Sequence, residues 1–244
     1  IDNGENGWAF LGGPIDQEVI VNPHDGGNQV FRMSSDPASG AFAGPYSPAL
    51  PASAGEPQTT ADFDSMQITF TFQAVAPGDN SRVEVDFGLD TPTDRDNFMA
   101  IENIAGSGLR IAVADPLLNG TWDTGDGIDD FTAFTGNRTL VGGLDATQEY
   151  QLTMVMHFND GADNDTVDFY LDGKYIGSST SFENYRDSLG GTHLDNAEAN
   201  QVASLFFRAN GAGAPADGPG GENQGFLFDD IQYSVFDQAG PSGT

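Results

Sequence analysis

The chain contains no cysteine, which excludes disulfides and thiolate-bound metal as sources of its stability. Positive charge is nearly as scarce: 8 Lys and Arg stand against 37 Asp and Glu, a formal net charge of −29 over 244 residues. A surface of that sign repels nucleic acid and anionic membrane, both of which favour cationic partners. It also disfavours sulfated or uronate-rich glycans unless a cation bridges them. Only 3 histidines are present, at positions 24, 157 and 193, too scattered for a His-rich zinc centre. No apolar run approaches the roughly 18 residues of a membrane-spanning helix, so no membrane insertion is expected. A Gly-x-Ser-x-Gly nucleophile elbow is absent. So are a sustained 3.6-residue apolar period and a fixed-period repeat, which argues against helical, solenoid and propeller architectures.

What is present is aromatic and loop-rich. The 18 Phe residues supply enough apolar surface to oppose disorder despite the charge. The length suits one large core, and residues 1–244 are expected to form a single domain. Asp outnumbers Glu, and Asp suits turns and Asx motifs where Glu suits helices. Two readings account for the acidity: a solvated, salt-adapted surface, or carboxylates partly neutralised by calcium.

Short segments of alternating polarity recur along the chain. Glu18–Val21, Gln29–Met33, Met66–Val75, Ser81–Leu89, Asn97–Ile104, Gly108–Ala114, Tyr150–Phe158, Val202–Ala209 and Gly225–Phe236 are predicted strands, and Gly7–Phe10 opens another. Ser34–Thr60, with Pro45, Pro48, Pro51 and Pro57 among its five prolines, and the acidic Thr121–Thr135 are predicted loops. Phe182–Ser188 is the one candidate helical turn. The clearest segment is Thr166-Val-Asp-Phe-Tyr-Leu-Asp-Gly-Lys-Tyr-Ile-Gly177. Val167, Phe169 and Leu171 alternate with Asp168 and Tyr170, and Asp172-Gly173 supplies the positive dihedrals of a tight hairpin turn. Together these features predict an all-β sandwich of two antiparallel sheets with few or no helices.

The Thr166–Gly177 hairpin resembles one that recurs in concanavalin A-like jelly rolls, including laminin-G-like modules. Asn6-Gly-Trp-Ala-Phe10 and Gly26-Gly-Asn-Gln-Val-Phe-Arg-Met33 resemble early strands of secreted carbohydrate-binding members of that superfamily. Gly225-Phe-Leu-Phe-Asp-Asp-Ile-Gln-Tyr233 resembles their terminal strand. The resemblance implies a jelly-roll β-sandwich, secretion or cell-surface display, and a polysaccharide or glycan partner. It also implies a structural calcium between the terminal strand and the N-terminal region, with Asp229, Asp230 and Glu5 as candidate ligands.

Several residue groups are candidates for chemistry. Glu84-Val-Asp86 matches the first two acids of the laminarinase-like Glu-x-Asp-x-Glu pattern, but Gly88 or Leu89 stands where the third acid belongs. Residues two apart on a strand share a face about 6–7 Å apart. A retaining glycosidase pair needs about 5–5.5 Å and an inverting pair about 6.5–9.5 Å. A polar strand face of Arg82, Glu84 and Asp86 accounts for the same residues. A β-eliminating lyase would want a Tyr or His base and a cation for the uronate. His157, Tyr170 and Arg208 are of those types, without the Arg-Thr/Ser-Glu and Gln-Ile/Val-His runs that such lyases carry. Asp123-Thr-Gly-Asp126 and the residues up to Asp130 concentrate oxygen ligands without the EF-hand order, so Asp123 and Asp126 are further calcium candidates. Asp160–Asp165 reads as a hairpin loop. Trp122, beside these acids, is a candidate sugar-stacking platform.

The expected function is a secreted, non-catalytic, lectin-like carbohydrate-binding module with structural calcium, taking neutral rather than anionic glycans. Trp122, His157, Tyr170, Arg208, Glu84 and Asp86 are its expected ligand-facing residues. One alternative is a structural or adhesive surface protein that self-associates. Another is a polysaccharide-degrading glycosidase or lyase.

Overall fold

A computed structural model describes residues 8–11, 17–33, 44–55, 63–88, 99–114, 137–159, 164–181, 201–202, 204–209 and 224–238. Sixteen strands and no helix occur among them. The strands are β1 (Ala9–Leu11), β2 (Gln17–Val21), β3 (Gln29–Met33), β4 (Gly44–Tyr46), β5 (Ala54–Gly55), β6 (Ser65–Ala74), β7 (Arg82–Gly88) and β8 (Met99–Ile104). They continue with β9 (Gly108–Ala114), β10 (Asn137–Leu144), β11 (Tyr150–His157), β12 (Thr166–Leu171), β13 (Lys174–Thr180), β14 (Gln201–Val202), β15 (Ser204–Ala209) and β16 (Phe226–Phe236).

Two seven-stranded antiparallel sheets carry the fold. One runs β1-β4-β15-β7-β8-β9-β10 and the other β13-β12-β11-β6-β16-β3-β2, with β14 and β5 forming a small third pair. This is the all-β, two-sheet sandwich that the concanavalin A-like resemblance implies. We call the first sheet the β7 sheet and the second the β6 sheet. The terminal strand β16 lies inside the β6 sheet, hydrogen-bonded to β6 on one side and β3 on the other.

Alternation decides which side chains enter the core. From the β7 sheet come Val83, Val85, Met99, Ile101, Leu109, Ile111, Leu205 and Phe207; from the β6 sheet come Ile68, Phe70, Phe72, Leu152, Met154, Met156, Val167, Phe169, Phe226 and Phe228. Phe207 sits at the centre of an aromatic cluster, 4.9 Å from Phe228 and 5.9 Å from Phe70 between ring centroids. Each such phenyl group stabilises the fold by about 3–5 kcal/mol, measured as the loss on truncation to Ala.

Three strands lie where no strand was expected. β4 and β5 fall within the predicted Ser34–Thr60 loop, and β4 carries Pro45 opposite Phe10 of β1. Proline weakens a strand signal because it donates nothing to the ladder. β10 contains Gly142 and Gly143 and breaks register twice against β9, so neither propensity nor alternation marks it. Gly108, at φ +79°, shows how close that pairing is: a Cβ there would stand 2.3 Å from the Leu144 carbonyl oxygen. The candidate helical turn Phe182–Ser188 and the acidic Thr121–Thr135 loop lie outside the described residues.

The two sides of the sandwich differ. Where β10 meets β13, a Cβ on Gly177 would lie 2.9 Å from Leu140 Cδ2, and the Arg138 guanidinium donates to the Ser178 carbonyl. That side is closed. On the opposite side a cleft of about 470 Å³ remains between the sheets, lined from β3 and β16 by Phe31, Phe228 and Tyr233 and from the facing sheet by Trp8, Pro48 and Leu205.

Candidate functional site

The hairpin of β12 and β13 turns on Asp172 (φ 49°) and Gly173 (φ 74°), the two positive dihedrals expected of it. Asp172 is fixed from both sides: its carboxylate accepts the Gln151 N–H at 2.9 Å, and its own N–H donates to the Gln151 carbonyl at 2.8 Å. A two-residue turn makes Tyr170 and Tyr175 direct cross-strand partners. Their rings meet edge to face, 5.6 Å apart at 65°, a favoured aromatic geometry. One extra residue on β13 then restores Gly177 opposite Phe169. Tyr175 keeps 52% of its surface open, held upright by Tyr170. Tyr175 is not among the expected ligand-facing residues, and its place beside Tyr170 follows from register across the two-residue Asp-Gly turn.

Beside the tyrosines, β11 and β6 extend the same outer face. His157 Nε2 lies 3.6 Å from Asp168 Oδ2, and His157 Nδ1 lies 3.3 Å from Ser65 Oγ. Thr69 and Thr153 hydroxyls join at 2.9 Å. Burial raises the Tyr170 phenol above its ordinary value, and the neighbouring Asp168 and Tyr175 raise it further. The phenol therefore stays protonated at neutral pH and is poorly suited to act as a base.

Ser65, His157 and Asp168 have the residue types of a nucleophilic triad, but not its arrangement. Ser65 is 0% exposed, and its hydroxyl donates to Asp64 Oδ1 at 3.0 Å. A nucleophile must be reachable by its substrate and free to pass its proton to the base. The third described histidine contact is structural: His24 Nε2 meets the Ala74 carbonyl at 3.1 Å in the turn before β3.

Glu84 and Asp86 lie on the other sheet. They alternate with Val83 and Val85 on β7 as expected, so they share the outer face of the β7 sheet. That face is not solvated there: both residues are 0% exposed. Arg82 contacts Glu84 at 3.3 Å and Glu102 at 3.6 Å, and Arg110 also donates to Glu102. Asp86 accepts the Met99 N–H at 3.4 Å. Phe206, opposite Asp86 on β15, is 2% exposed. Backbone register sets Arg208 opposite Glu84. The structure thus divides the expected ligand-facing set: His157 and Tyr170 share the β6 sheet, whereas Glu84, Asp86 and Arg208 belong to the β7 sheet. The backbone of Arg208 therefore belongs to a different sheet from His157 and Tyr170. Trp122 lies outside the described residues.

The terminal strand departs from simple alternation. Asp229 pairs with Thr71 and Gln232 with Thr69, so a bulge sets Asp230 and Ile231 apart from the ladder, and Asp230 takes φ 50°. The bulge puts Asp229 and Tyr233 on opposite faces of the strand. Asp229 lies in register with the polar Thr71, while Tyr233, beyond the bulge, lies in register with the core residue Ile68. Asp229 Oδ1 accepts the Asp230 N–H at 2.9 Å, and Oδ2 accepts from Asn28 Nδ2 at 2.5 Å. Each Asp229 oxygen thus accepts one N–H donor and keeps a lone pair for a further partner. Among the described residues, no three His, Asp or Glu gather as a metal site requires. Glu5, Asp123 and Asp126 lie outside those residues. The Asp160–Asp165 stretch connects the antiparallel β11 and β12, and Asp165 accepts the Asn159 N–H at 2.7 Å, in keeping with a hairpin loop.

No known family profile and no curated protein matches the sequence. The structure is similar to several solved ones. A carbohydrate-binding module of family 66 from Bacillus subtilis is 8% identical, over 94% of this chain and 96% of that one, with a TM-score of 0.45. The marine family 14 alginate lyase from Aplysia kurodai is 11% identical, over 90% and 87%, at 0.46. The Caenorhabditis elegans galectin LEC-6 is 10% identical, over 75% and 96%, at 0.36.

Proposed function

We propose that the chain is a non-catalytic, lectin-like carbohydrate-binding protein, secreted or displayed at a cell surface, that takes neutral glycans on the outer face of β11, β12 and β13. The observation that carries this reading is Tyr175, more than half exposed and braced edge-on by Tyr170. Pyranose C–H faces are apolar and stack on such a ring, while the sugar hydroxyls need polar partners close by. Asp168, His157 and Thr153 lie on the same face as Tyr170. The Asp168 carboxylate and the net charge of −29 favour a neutral over an anionic sugar.

The catalytic alternatives draw less support. Glu84 and Asp86 are buried, Tyr170 resists deprotonation, and Ser65 is inaccessible. The assembly alternative calls for exposed apolar patches or an exchanged terminal strand. Large exposed apolar side chains among the described residues are Val21, Tyr175 and Tyr233, and β16 pairs within its own sheet. Calcium is retained as a part of the proposal, supported by the carboxylate density of Asp123–Asp130 in the sequence.

The test is a glycan array followed by calorimetry, with added Ca2+ and with chelator, on the protein and on Tyr175→Ala. Neutral glycans are expected to bind, and Tyr175→Ala to weaken them about tenfold or more, a loss of about 1.4 kcal/mol. Absence of neutral-glycan binding in both conditions, or an equal affinity of Tyr175→Ala, rejects the reading. A melting temperature that chelator leaves unchanged rejects the calcium.

A further inference from the structure

The cleft between the sheets is separate from the tyrosine face. Its volume of about 470 Å³ falls within the range of about 300–1,000 Å³ typical of small-molecule sites. Trp8, Phe31, Phe228 and Tyr233 line it with aromatic rings, and Asp229 and Asp230 of the β16 bulge border it. Among the described residues that line it there is no Lys, Arg or His.

The bulge in β16 creates this opening. Register with Ile68 directs Tyr233 to the core side of its sheet, yet 40% of Tyr233 is exposed. A large aromatic side chain in a core register is normally covered by the facing sheet. Here the facing sheet does not reach it. Asp230 meanwhile holds φ 50° without being glycine, a conformation that is retained where surrounding structure enforces it and that gathers at ligand sites.

We propose that this cleft binds an organic cation with an apolar body, of the quaternary-ammonium type. Aromatic faces attract such cations through their ring quadrupoles. The carboxylates supply the opposite charge, and the acidic chain as a whole concentrates cations near its surface. A quaternary ammonium has no N–H to satisfy, so ring faces and opposite charge are all it asks of the cleft. An anion would meet two carboxylates with no compensating cation, and a neutral aromatic would gain nothing from them.

The probe is phenyltrimethylammonium, titrated into the isotopically labelled full chain and followed by NMR, with benzyl alcohol and benzenesulfonate as neutral and anionic controls. Saturable shifts are expected at the Trp8 indole and the Ile68 methyls. Tyr233→Ala is expected to weaken binding about tenfold, and the exposed Asp230→Asn about threefold, with Tyr175→Ala unchanged. Asp230→Asn keeps the test sound should Tyr233→Ala disturb folding. Equal binding of either control, shifts centred on Tyr175, linear shifts without saturation, or full affinity in Asp230→Asn would each overturn the proposal. Because Tyr175→Ala reports on the glycan face alone, either proposal can fail without the other.

Discussion

The outer faces of the two sheets are built from the same pattern and meet opposite fates. On β7, Arg82, Glu84 and Asp86 alternate with core valines, and the two acids are wholly buried. On β12, Asp168 and Tyr170 alternate with Val167 and Phe169, and both remain partly open. Strand alternation assigns a side chain to a face. Whether that face meets water depends on what lies over it, which a strand's own sequence does not record. A polar face that is covered must pair its charges, as Arg82 does with Glu84 and Glu102. A polar face that is open is available to a ligand.

The sharpest way to break this comparison is to truncate an acid on each face. Glu84→Ala removes a fully buried partner of Arg82 and is expected to destabilise the fold by about 3–5 kcal/mol in urea unfolding. Asp168→Ala, on the open face, is expected to change stability by less than about 1 kcal/mol. Equal losses would mean that the faces are alike. The aromatic pair comes next. Phe206→Ala should lose about 3–4 kcal/mol through the cavity it leaves, whereas Tyr175→Ala should lose less than about 1 kcal/mol and act on glycan affinity instead.

A smaller effect concerns Tyr170. Its raised phenol stays protonated in the folded state at pH values where the unfolded phenol, near pH 10, has begun to ionise. The sign follows: the contribution is present below the unfolded value and is lost as pH rises through the folded one. Ultraviolet titration should show a late-ionising tyrosine that Asp168→Asn moves earlier. A tyrosine unmoved by that change would remove Asp168 from its surroundings. The smallest effect lies at Asp145, which is fully exposed and held below the ordinary carboxylate range by the Thr147 N–H and hydroxyl. That stability is present above the unfolded value and fades as pH falls through the folded one. Thr147→Ala should raise the Asp145 midpoint in a carboxyl NMR titration and barely alter melting at neutral pH.

Much of the architecture was legible because alternation and turn chemistry are local. The core residues of β6, β11 and β12 stand where period-two patterning puts them, and Asp172-Gly173 turns as its dihedral freedom requires. β4, β5 and β10 were not legible, since Pro45, a two-residue pair and the Gly142-Gly143 break leave no period to read. The candidate site was half visible. Tyr170, His157 and Asp168 follow from alternation, and Tyr175 follows from turn register. The bulge at Asp230 does not: an extra residue in one strand answers to its partner β6, and its result is to turn Asp229 away from the apolar face and leave Tyr233 uncovered.

By itself, then, the sequence determined the class of fold, the sign of the surface charge, the hairpin and the inward face of most strands. These rest on contacts between near neighbours and on composition. Only the tertiary structure decided that Glu84 and Asp86 are sealed, that Arg208 stands on a different sheet from His157 and Tyr170, and that a cleft opens beside Tyr233. Those outcomes depend on which strands become neighbours and on what covers each sheet, and long-range pairing of that kind leaves no periodic mark along the chain.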